Sequence, residues 1–236
     1  MISHKHQCIF LHIPKCAGTS VEKMFLTDLN ISYQYRLSLF MGRNDDKIKG
    51  PPRLAHLTIS EMLENHLINL NQLDNYYSFA VIRNPIDRIF SFYKYLGYNE
   101  VMNLNNFIKK VVVKSFVTKD SNYWFLKPQK DYLVYNGKLV VKKLIVLEKL
   151  SNEIDNLKLQ VKLNQTLELT HENKSGKPNP ILKSLKLKLK YFHLMDSIFW
   201  FGTKKKQTIS KENLKVLKQL YKEDFELYNF QLSEKK

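Results

Sequence analysis

Two apolar runs, each followed by a polar turn and a helical pattern, constrain the fold of this chain most strongly. The first covers residues 7–13 and leads through "PKCAGTS" into a helix predicted over residues 19–29. The second, Tyr77–Ile82, ends at an Arg-Asn-Pro turn in which Asn84 can cap a helix and Pro85 can occupy its first position. Because strands that alternate with helices form parallel sheets, we predict an α/β fold with a parallel sheet flanked by helices.

The rest of the chain continues this pattern without a visible internal repeat, and we interpret residues 1–236 as a single domain. Leu and Lys alternate at residues 185–190, inside a Lys-rich insert at about 183–206, which is typical of an edge strand with a solvated lysine face. Periodicity and capping residues predict the remaining elements: a helix over 58–67 capped by Thr58, helices over 104–116, 151–161 (capped by Ser151) and 210–228, and a strand over 144–147.

The composition narrows the class of protein. Lys and Arg number 38 against 22 Asp and Glu, a formal charge of +16 that favours anionic partners such as nucleotides, nucleic acids, anionic glycans or lipid headgroups. No apolar run reaches the length of a membrane span and residues 1–6 do not resemble a secretory leader, so we expect a soluble, cytoplasmic protein. Cys8 and Cys16 belong to one strand-turn element, which makes them a poor disulfide pair and a poorer metal site.

The turn after the first strand has the residues of an anion-binding loop. Turns at the carboxyl ends of parallel strands bind ligands in such sheets, which places residues 14–20 and 83–85 at one edge. Ala17 and Gly18 let the backbone approach an anion, the N–H groups of the helix start face it, and Lys15 adds a point charge. A Walker loop has its Lys directly after the last Gly, whereas Lys15 precedes Gly18, so the order does not fit a kinase-type loop.

Two motifs resemble the signatures of a known family. "IPKCAGTS" resembles "PKTAGTS", and "RNPIDRIFSFY", residues 83–93, matches the fixed positions of R-[DN]-P-x-x-R-x-x-S-x-[YF]. Both signatures are those of the carbohydrate-type (sulfotransferase family 2-like) enzymes that use 3′-phosphoadenosine 5′-phosphosulfate (PAPS). The resemblance spans nearly the whole chain, but departs at Cys16, where Thr or Ser is usual, and in the Lys-rich insert. It implies a P-loop-like fold and transfer of a sulfuryl group from PAPS to a hydroxyl or amine of a glycan-like acceptor. No ligand set visible in the sequence requires a metal, and we expect none.

The resemblance also implies roles for individual residues. Lys15 would neutralise charge that builds on the bridging oxygen as the bond to sulfur breaks. Arg83 and Ser91 would grip the 3′-phosphate that distinguishes PAPS from ATP. His56 would deprotonate the acceptor, since its reference pKa of about 6.5 suits proton removal. We therefore assign Lys15 and His56 to catalysis, and these residues to donor binding: Pro14, Lys15, Cys16, Ala17, Gly18, Thr19, Ser20, Arg83, Ser91, Ser175 and Lys177.

Several alternatives stay open from the sequence. Glu22, one turn after the Thr-Ser pair, is the rival base, and Arg88 in the second motif is interpreted as structural. A nucleotide or polynucleotide kinase would use a similar strand-loop-helix site. A basic nucleic-acid-binding protein would explain the charge, although no motif for a specific nucleic acid is present. The Lys-rich insert could hold an anionic acceptor or touch a membrane surface peripherally. The oligomeric state is left open.

Overall fold

The computed structural model describes residues 1–44, 51–169, 181–195 and 207–233 as a mixed α/β protein with a mostly parallel sheet and flanking helices. Contacts between residues divide the chain into two compact units. The first comprises Met1–Asn84, Pro128–Glu172 and Glu223–Lys236, and the second comprises Pro85–Lys127 and Asn173–Lys222. Each unit is therefore assembled from separate stretches of sequence, and the interpretation of residues 1–236 as one domain stays a prediction.

Strands and helices alternate regularly along only part of the described chain. The strands are β1 (Ile2–Ser3), β2 (Cys8–Leu11), β3 (Tyr77–Ile82), β4 (Val134–Tyr135), β5 (Lys138–Leu139) and β6 (Lys143–Val146). The helices are α1 (Gly18–Asp28), α2 (Ile59–Glu64), α3 (Leu70–Asn75), α4 (Pro85–Tyr95), α5 (Leu104–Phe107), α6 (Lys114–Thr118), α7 (Tyr123–Leu126), α8 (Leu150–Gln160), α9 (Ile181–Lys190), α10 (Lys211–Leu220) and α11 (Lys222–Ser233). A π-helical stretch, Ile108–Val113, joins α5 to α6.

The main sheet belongs to the first unit and has the strand order β1-β2-β3-β6. Strands β2, β3 and β6 are parallel, and β1 runs antiparallel to β2. The parallel strands are almost entirely buried, which is why they appear in the sequence as continuous apolar runs rather than alternating ones. Leu11 at the end of β2 pairs with Ala80, two residues before the end of β3. The turns that follow β2 and β3 therefore start at the same edge of the sheet, as predicted.

Helix α1 packs on the sheet through residues at helical spacing. Val21, Met24 and Phe25 are buried and join the apolar core that the strands form. The Phe25 ring lies 6.3 Å from that of Phe79 on β3, and Phe79 stacks on Phe10 of β2 at 4.9 Å. Burial of each such side chain contributes about 1.5–3 kcal/mol. This packing fixes the start of α1 near the carboxyl end of β2.

Several predicted elements are confirmed. Strand β3 has the predicted bounds, and α4 begins at Pro85. The Thr58 side chain accepts a hydrogen bond from the Glu61 N–H at 3.2 Å while the Glu61 carboxylate accepts one from the Thr58 N–H at 2.7 Å, so α2 has its capping box. The helix predicted over 104–116 is present as α5, the π-helical stretch and α6.

The prediction of an edge strand at 185–190 is wrong, because these residues form the helix α9. Leu and Lys are good helix formers, and no β-branched residue stands between positions 182 and 190 to favour a strand. Helical spacing pairs Leu187 with Tyr191, the buried residue at the end of α9. The alternation of Leu and Lys is therefore also compatible with a helix, which the prediction of an edge strand did not consider.

Two helix boundaries also differ from their predictions. Ser151 does not cap α8, because the 3₁₀ turn Leu147–Lys149 leads directly into the helix and Lys149 occupies the cap position. The single helix predicted over 210–228 is two helices, α10 and α11, with a break at Tyr221. Tyr221 is 1% exposed and its hydroxyl donates to the Leu126 carbonyl at 2.6 Å, which holds the chain at the break.

Candidate active site

The loop between β2 and α1 changes handedness at alternate residues. Lys15 has φ of 69° and Ala17 has φ of 58°, both in the left-handed region, while Cys16 between them does not. Ala17 is the N-cap of α1, and its carbonyl accepts from the Ser20 N–H at 3.0 Å. Left-handed residues on either side of a residue of negative φ can turn successive N–H groups toward an anion, here next to the positive end of a helix dipole.

Position 18 needs glycine because a neighbouring side chain leaves no room for a Cβ, and not because of its backbone conformation. A Cβ placed on Gly18 would lie 1.9 Å from Cδ2 and 2.0 Å from Nε2 of His12. Carbon atoms in contact normally stand about 3.5–4.0 Å apart, so no larger residue fits beside this ring. The imidazole of His12 therefore lies directly against the first residue of α1.

His12 is held by a buried hydrogen bond from the other side. Its Nδ1 donates to Oε1 of Glu22 at 2.6 Å, and the side chains are only 5% and 7% exposed. Burial raises the pKa of Glu22, but the charge and hydrogen bond of His12, together with the charges of the N-terminal ammonium and Arg53, outweigh burial, so the pKa of this carboxyl lies below its ordinary value. Glu22 is thus an ionised orienting group for His12.

His56 packs on the same histidine. Its Nδ1 lies 2.9 Å from the carbonyl oxygen of His12, and the two rings meet edge to face with centroids 4.4 Å apart. A carbonyl can only accept, so Nδ1 of His56 carries the hydrogen and Nε2 carries the ring lone pair. Burial, helped by the charges of His12 and Arg53, holds the pKa of His56 well below 6.5, which keeps the ring neutral near pH 7.

Three cations crowd around the loop. The Arg83 guanidinium donates to the carbonyl of Lys15 at 3.4 Å. Burial, followed by the charges of Arg83 and Arg53, lowers the pKa of Lys15 from 10.5 to about 8. Lys15 is half-buried, and Arg53 stands three residues before His56. The loop therefore carries a concentrated positive charge at the end of the sheet.

Gln129 ties the loop to the end of β3. Its side-chain carbonyl accepts from the backbone N–H of Arg83 at 2.9 Å and from the thiol of Cys16 at 3.3 Å, while its side-chain amide donates to the Arg83 carbonyl at 2.9 Å. The backbone N–H of Gln129 donates to the carboxylate of Asp224 at 2.8 Å. Gln129 and Asp224 are each 1% exposed, so these bonds are shielded from water. Cys16, which stands where the signature "PKTAGTS" has Thr, thus uses its thiol to contact the Gln129 side chain.

The structure brings Lys15, Cys16, Gly18, Arg83 and His56 together in the first unit. Thr19 is half-buried and Ser20 is 8% exposed, both in the first turn of α1, and Pro14 is buried. Ser91 is half-buried on α4 in the second unit. Ser175 and Lys177 lie outside the described residues.

Arg88 is a structural residue, as interpreted from the sequence. Arg88 is 1% exposed, and its guanidinium donates to the carbonyls of Lys127 at 3.0 Å and Phe125 at 2.7 Å. These carbonyls are at the carboxyl end of α7, where the backbone lacks helical partners. Arg88 therefore caps α7.

Sequence reasoning missed three residues of this site: His12, Arg53 and Gln129. His12 stands in an apolar run that predicts a strand over residues 7–13, although a polar residue at the carboxyl end of a parallel strand is itself a signal. Arg53 could have been found by its position just before His56. No local signal marks Gln129, because its partners are 46 and 113 residues away.

The chain was compared with known proteins in three ways. A family model described as "Sulfotransferase family" matches residues 1–231. A search of curated proteins and a search of solved structures each found no match. Within the described ranges, none of the helices combines the length and apolar character needed to cross a bilayer, and no three His, Cys, Asp or Glu side chains group as metal ligands would.

Proposed function

Because the chain belongs to the sulfotransferase family, we propose that it moves the sulfuryl group of PAPS to a hydroxyl or amine of a glycan-like acceptor. The observation that carries the donor assignment is the crowding of Lys15, Arg53 and Arg83 beside the start of α1. Burial, followed by the charges of Arg83 and Arg53, lowers the pKa of Lys15, and the repulsion among these charges is relieved when a ligand with several negative charges binds among them. The family assignment favours this function over the kinase and nucleic-acid-binding alternatives.

The residues of the loop fit the 5′-phosphosulfate of such a donor. Lys15 supplies a charge, the alternating backbone of residues 15–17 supplies N–H donors, and Thr19 and Ser20 supply hydroxyls in the first turn of α1. When bound, PAPS supplies the sulfuryl group and leaves as adenosine 3′,5′-bisphosphate. Lys15 would stabilise the negative charge that develops on the leaving phosphate oxygen.

Arg83 is placed to bind a phosphate with little rearrangement. Both its backbone N–H and its carbonyl are held by the Gln129 side chain, so its Cα is fixed at the sheet edge. A positioned guanidinium loses less freedom on binding and can contact two oxygens of one phosphate. We assign Arg83 to the 3′-phosphate on this basis, and Ser91 shares the assignment through the sequence motif alone.

His56 is our candidate for the base that takes the acceptor proton. Its Nδ1–H is committed to the His12 carbonyl, so the proton would go to Nε2. The depressed pKa keeps the ring in the neutral form that can accept a proton at neutral pH. Glu22 is ionised and bonded to His12, which suits it to hold His12 rather than to act on an acceptor.

Ligand-induced stabilisation tests the donor assignment. Adenosine 3′,5′-bisphosphate should raise the melting temperature more than AMP or ATP does, with about 2.7 kcal/mol of stabilisation at 100 times the dissociation constant. Lys15→Ala should reduce this shift, whereas Lys138→Ala on the exposed strand β5 should not. Equal shifts with the bisphosphate and AMP would contradict the proposal.

Transfer itself is tested by incubating the protein with labelled PAPS and a panel of glycans, lipids and small alcohols. We expect label to move to a hydroxyl-bearing acceptor in a reaction that Lys15→Ala slows. Release of bisphosphate without a labelled product from any acceptor would leave donor hydrolysis as the activity and would contradict the transfer proposal.

A further inference from the structure

Helix α9 is fixed in the second unit by one of its two apolar faces. A Cβ placed on Gly97 would lie 2.4 Å from Cδ1 of Leu187, so this leucine packs directly on the glycine backbone. The Tyr191 ring lies 4.7 Å from that of Tyr98, and Tyr191 is 9% exposed. Leu187 and Tyr191 are four residues apart and share one side of the helix. The opposite side must therefore point away from these contacts.

That opposite side is also apolar. Leu185 and Leu189 are four residues apart on α9, and Phe192, at the next step of the i, i+4, i+7 spacing, begins the 3₁₀ turn Phe192–Leu194 that follows the helix. They are 57%, 72% and 64% exposed. Single exposed apolar residues are common on protein surfaces, but three large ones on one stripe mark an interaction surface.

Lysines border this stripe on both sides. At about 100° per residue, Lys186 and Lys190 fall on one flank and Lys188 on the other. Residues 181–195 contain no Asp or Glu, so this segment itself contributes only positive charge. Lys190 also lies over the Tyr191 ring, with its Nζ 5.0 Å from the centroid.

We propose that α9 docks the protein peripherally on an anionic phospholipid surface. Leu185, Leu189 and Phe192 would enter the boundary between headgroups and acyl chains, and the flanking lysines would contact the headgroups. An anionic glycan would satisfy the lysines but would leave the apolar stripe facing a polar chain. The combination of both features therefore favours a bilayer over a soluble polyanion, and none of these residues is among those assigned to donor binding or catalysis.

Sedimentation with lipid vesicles tests the proposal. The intact protein should bind phosphatidylcholine vesicles that contain phosphatidylserine at least about ten-fold more strongly than vesicles of phosphatidylcholine alone, with affinity falling as salt rises. Replacing Leu185, Leu189 and Phe192 together by Ser should weaken binding by about ten-fold or more. Replacing the three flanking lysines by Gln should weaken binding and flatten its salt dependence.

A matched control carries three Ser substitutions at exposed apolar residues elsewhere. Val117, Leu159 and Phe230 are 77%, 63% and 60% exposed, and their replacement should leave vesicle binding unchanged. All variants should keep the melting shift with adenosine 3′,5′-bisphosphate, which shows that they are folded and that donor binding does not depend on α9.

Three results would overturn the proposal. The first is equal binding to the two kinds of vesicle. The second is a lysine variant that loses binding to heparin but still binds vesicles. This result would assign α9 to a polyanionic acceptor. The third is an apolar-stripe variant that binds vesicles like the intact protein, or that only converts a dimer to a monomer, which would assign the stripe to a second copy of the chain.

Discussion

Substituting Gly18 by Ala should damage the protein through His12, and this coupling can be measured. The new Cβ would stand 1.9 Å from Cδ2 of His12, so the ring must retreat by roughly 1.5–2 Å to reach ordinary contact distance. Retreat breaks or stretches the 2.6 Å hydrogen bond to Glu22. A hydrogen bond to a charged group contributes about 1.5–3 kcal/mol, and overpacking costs about 1–3 kcal/mol.

The lost hydrogen bond and the overpacking are offset in part by a smaller gain in helix propensity. Ala is favoured over Gly in a helix by about 1 kcal/mol, and Gly18 is the first residue of α1. Gly18→Ala should therefore lower the free energy of unfolding by about 1.5–5 kcal/mol in the intact protein. In a His12→Ala background the clash disappears, and the same substitution should change stability by no more than about 1 kcal/mol in either direction.

The assay is a double-mutant cycle by urea unfolding at constant m value. Gly137→Ala is the matched control, because a Cβ on Gly137 meets nothing within 4 Å although its φ of 74° imposes backbone strain. Its cost should be the same with and without His12. If Gly18→Ala cost the same in both backgrounds, the packing of the His12 ring against α1 would not be the reason for glycine at this position.

Three further predictions concern the proposed chemistry. The dissociation constant of the bisphosphate should rise as pH increases through about 8, where Lys15 loses its proton, and Lys15→Arg should remove this dependence in calorimetric titrations; an unchanged pH profile in Lys15→Arg would contradict it. Arg83→Ala should weaken bisphosphate binding by about 1.5–3 kcal/mol and leave AMP binding unchanged, whereas an equal loss for both ligands would rule out a 3′-phosphate contact. His56→Ala should lower turnover by about 10²–10⁴ without altering the bisphosphate melting shift, and the exposed His4→Ala is its control. An active His56→Ala enzyme together with an inactive Glu22→Gln enzyme would transfer the role of base to Glu22.

The parts of the fold that depend on local periodicity could be predicted from the sequence. Strand β3 and the capping box of α2 have their signals within a few adjacent residues. The helical nature of residues 181–190 could not be decided by alternation alone, because Leu and Lys also favour a helix and the deciding contact of Leu187 is with distant Gly97. The break at Tyr221 likewise depends on a bond to Leu126, 95 residues away.

The candidate site shows the same division. Lys15 and Gly18 are assigned to the candidate site from the sequence because they stand in one motif, and His56 is assigned from the turn before α2; both assignments stay predictions. The pairing of His12 with Glu22 was not predicted, because an apolar strand pattern hides a histidine at its end. The reason for Gly18 also differs from the prediction: the structure explains the glycine by a neighbouring ring, in addition to any approach of an anion.

The bonds of Gln129 also affect how the protein is made. A ribosome releases residues 1–84, with β2, β3 and the loop between β2 and α1, long before the groups that brace them. The hydrogen bond of Cys16 cannot form until Gln129, 113 residues later, has been synthesised. The hydrogen bond of Gln129 in turn requires Asp224, a further 95 residues on. Because contacts of high sequence separation form late, the last of these bonds, from Gln129 to Asp224, forms only when nearly the whole chain has emerged. During synthesis the nascent protein would thus carry an unbraced, strongly basic loop among cellular polyanions.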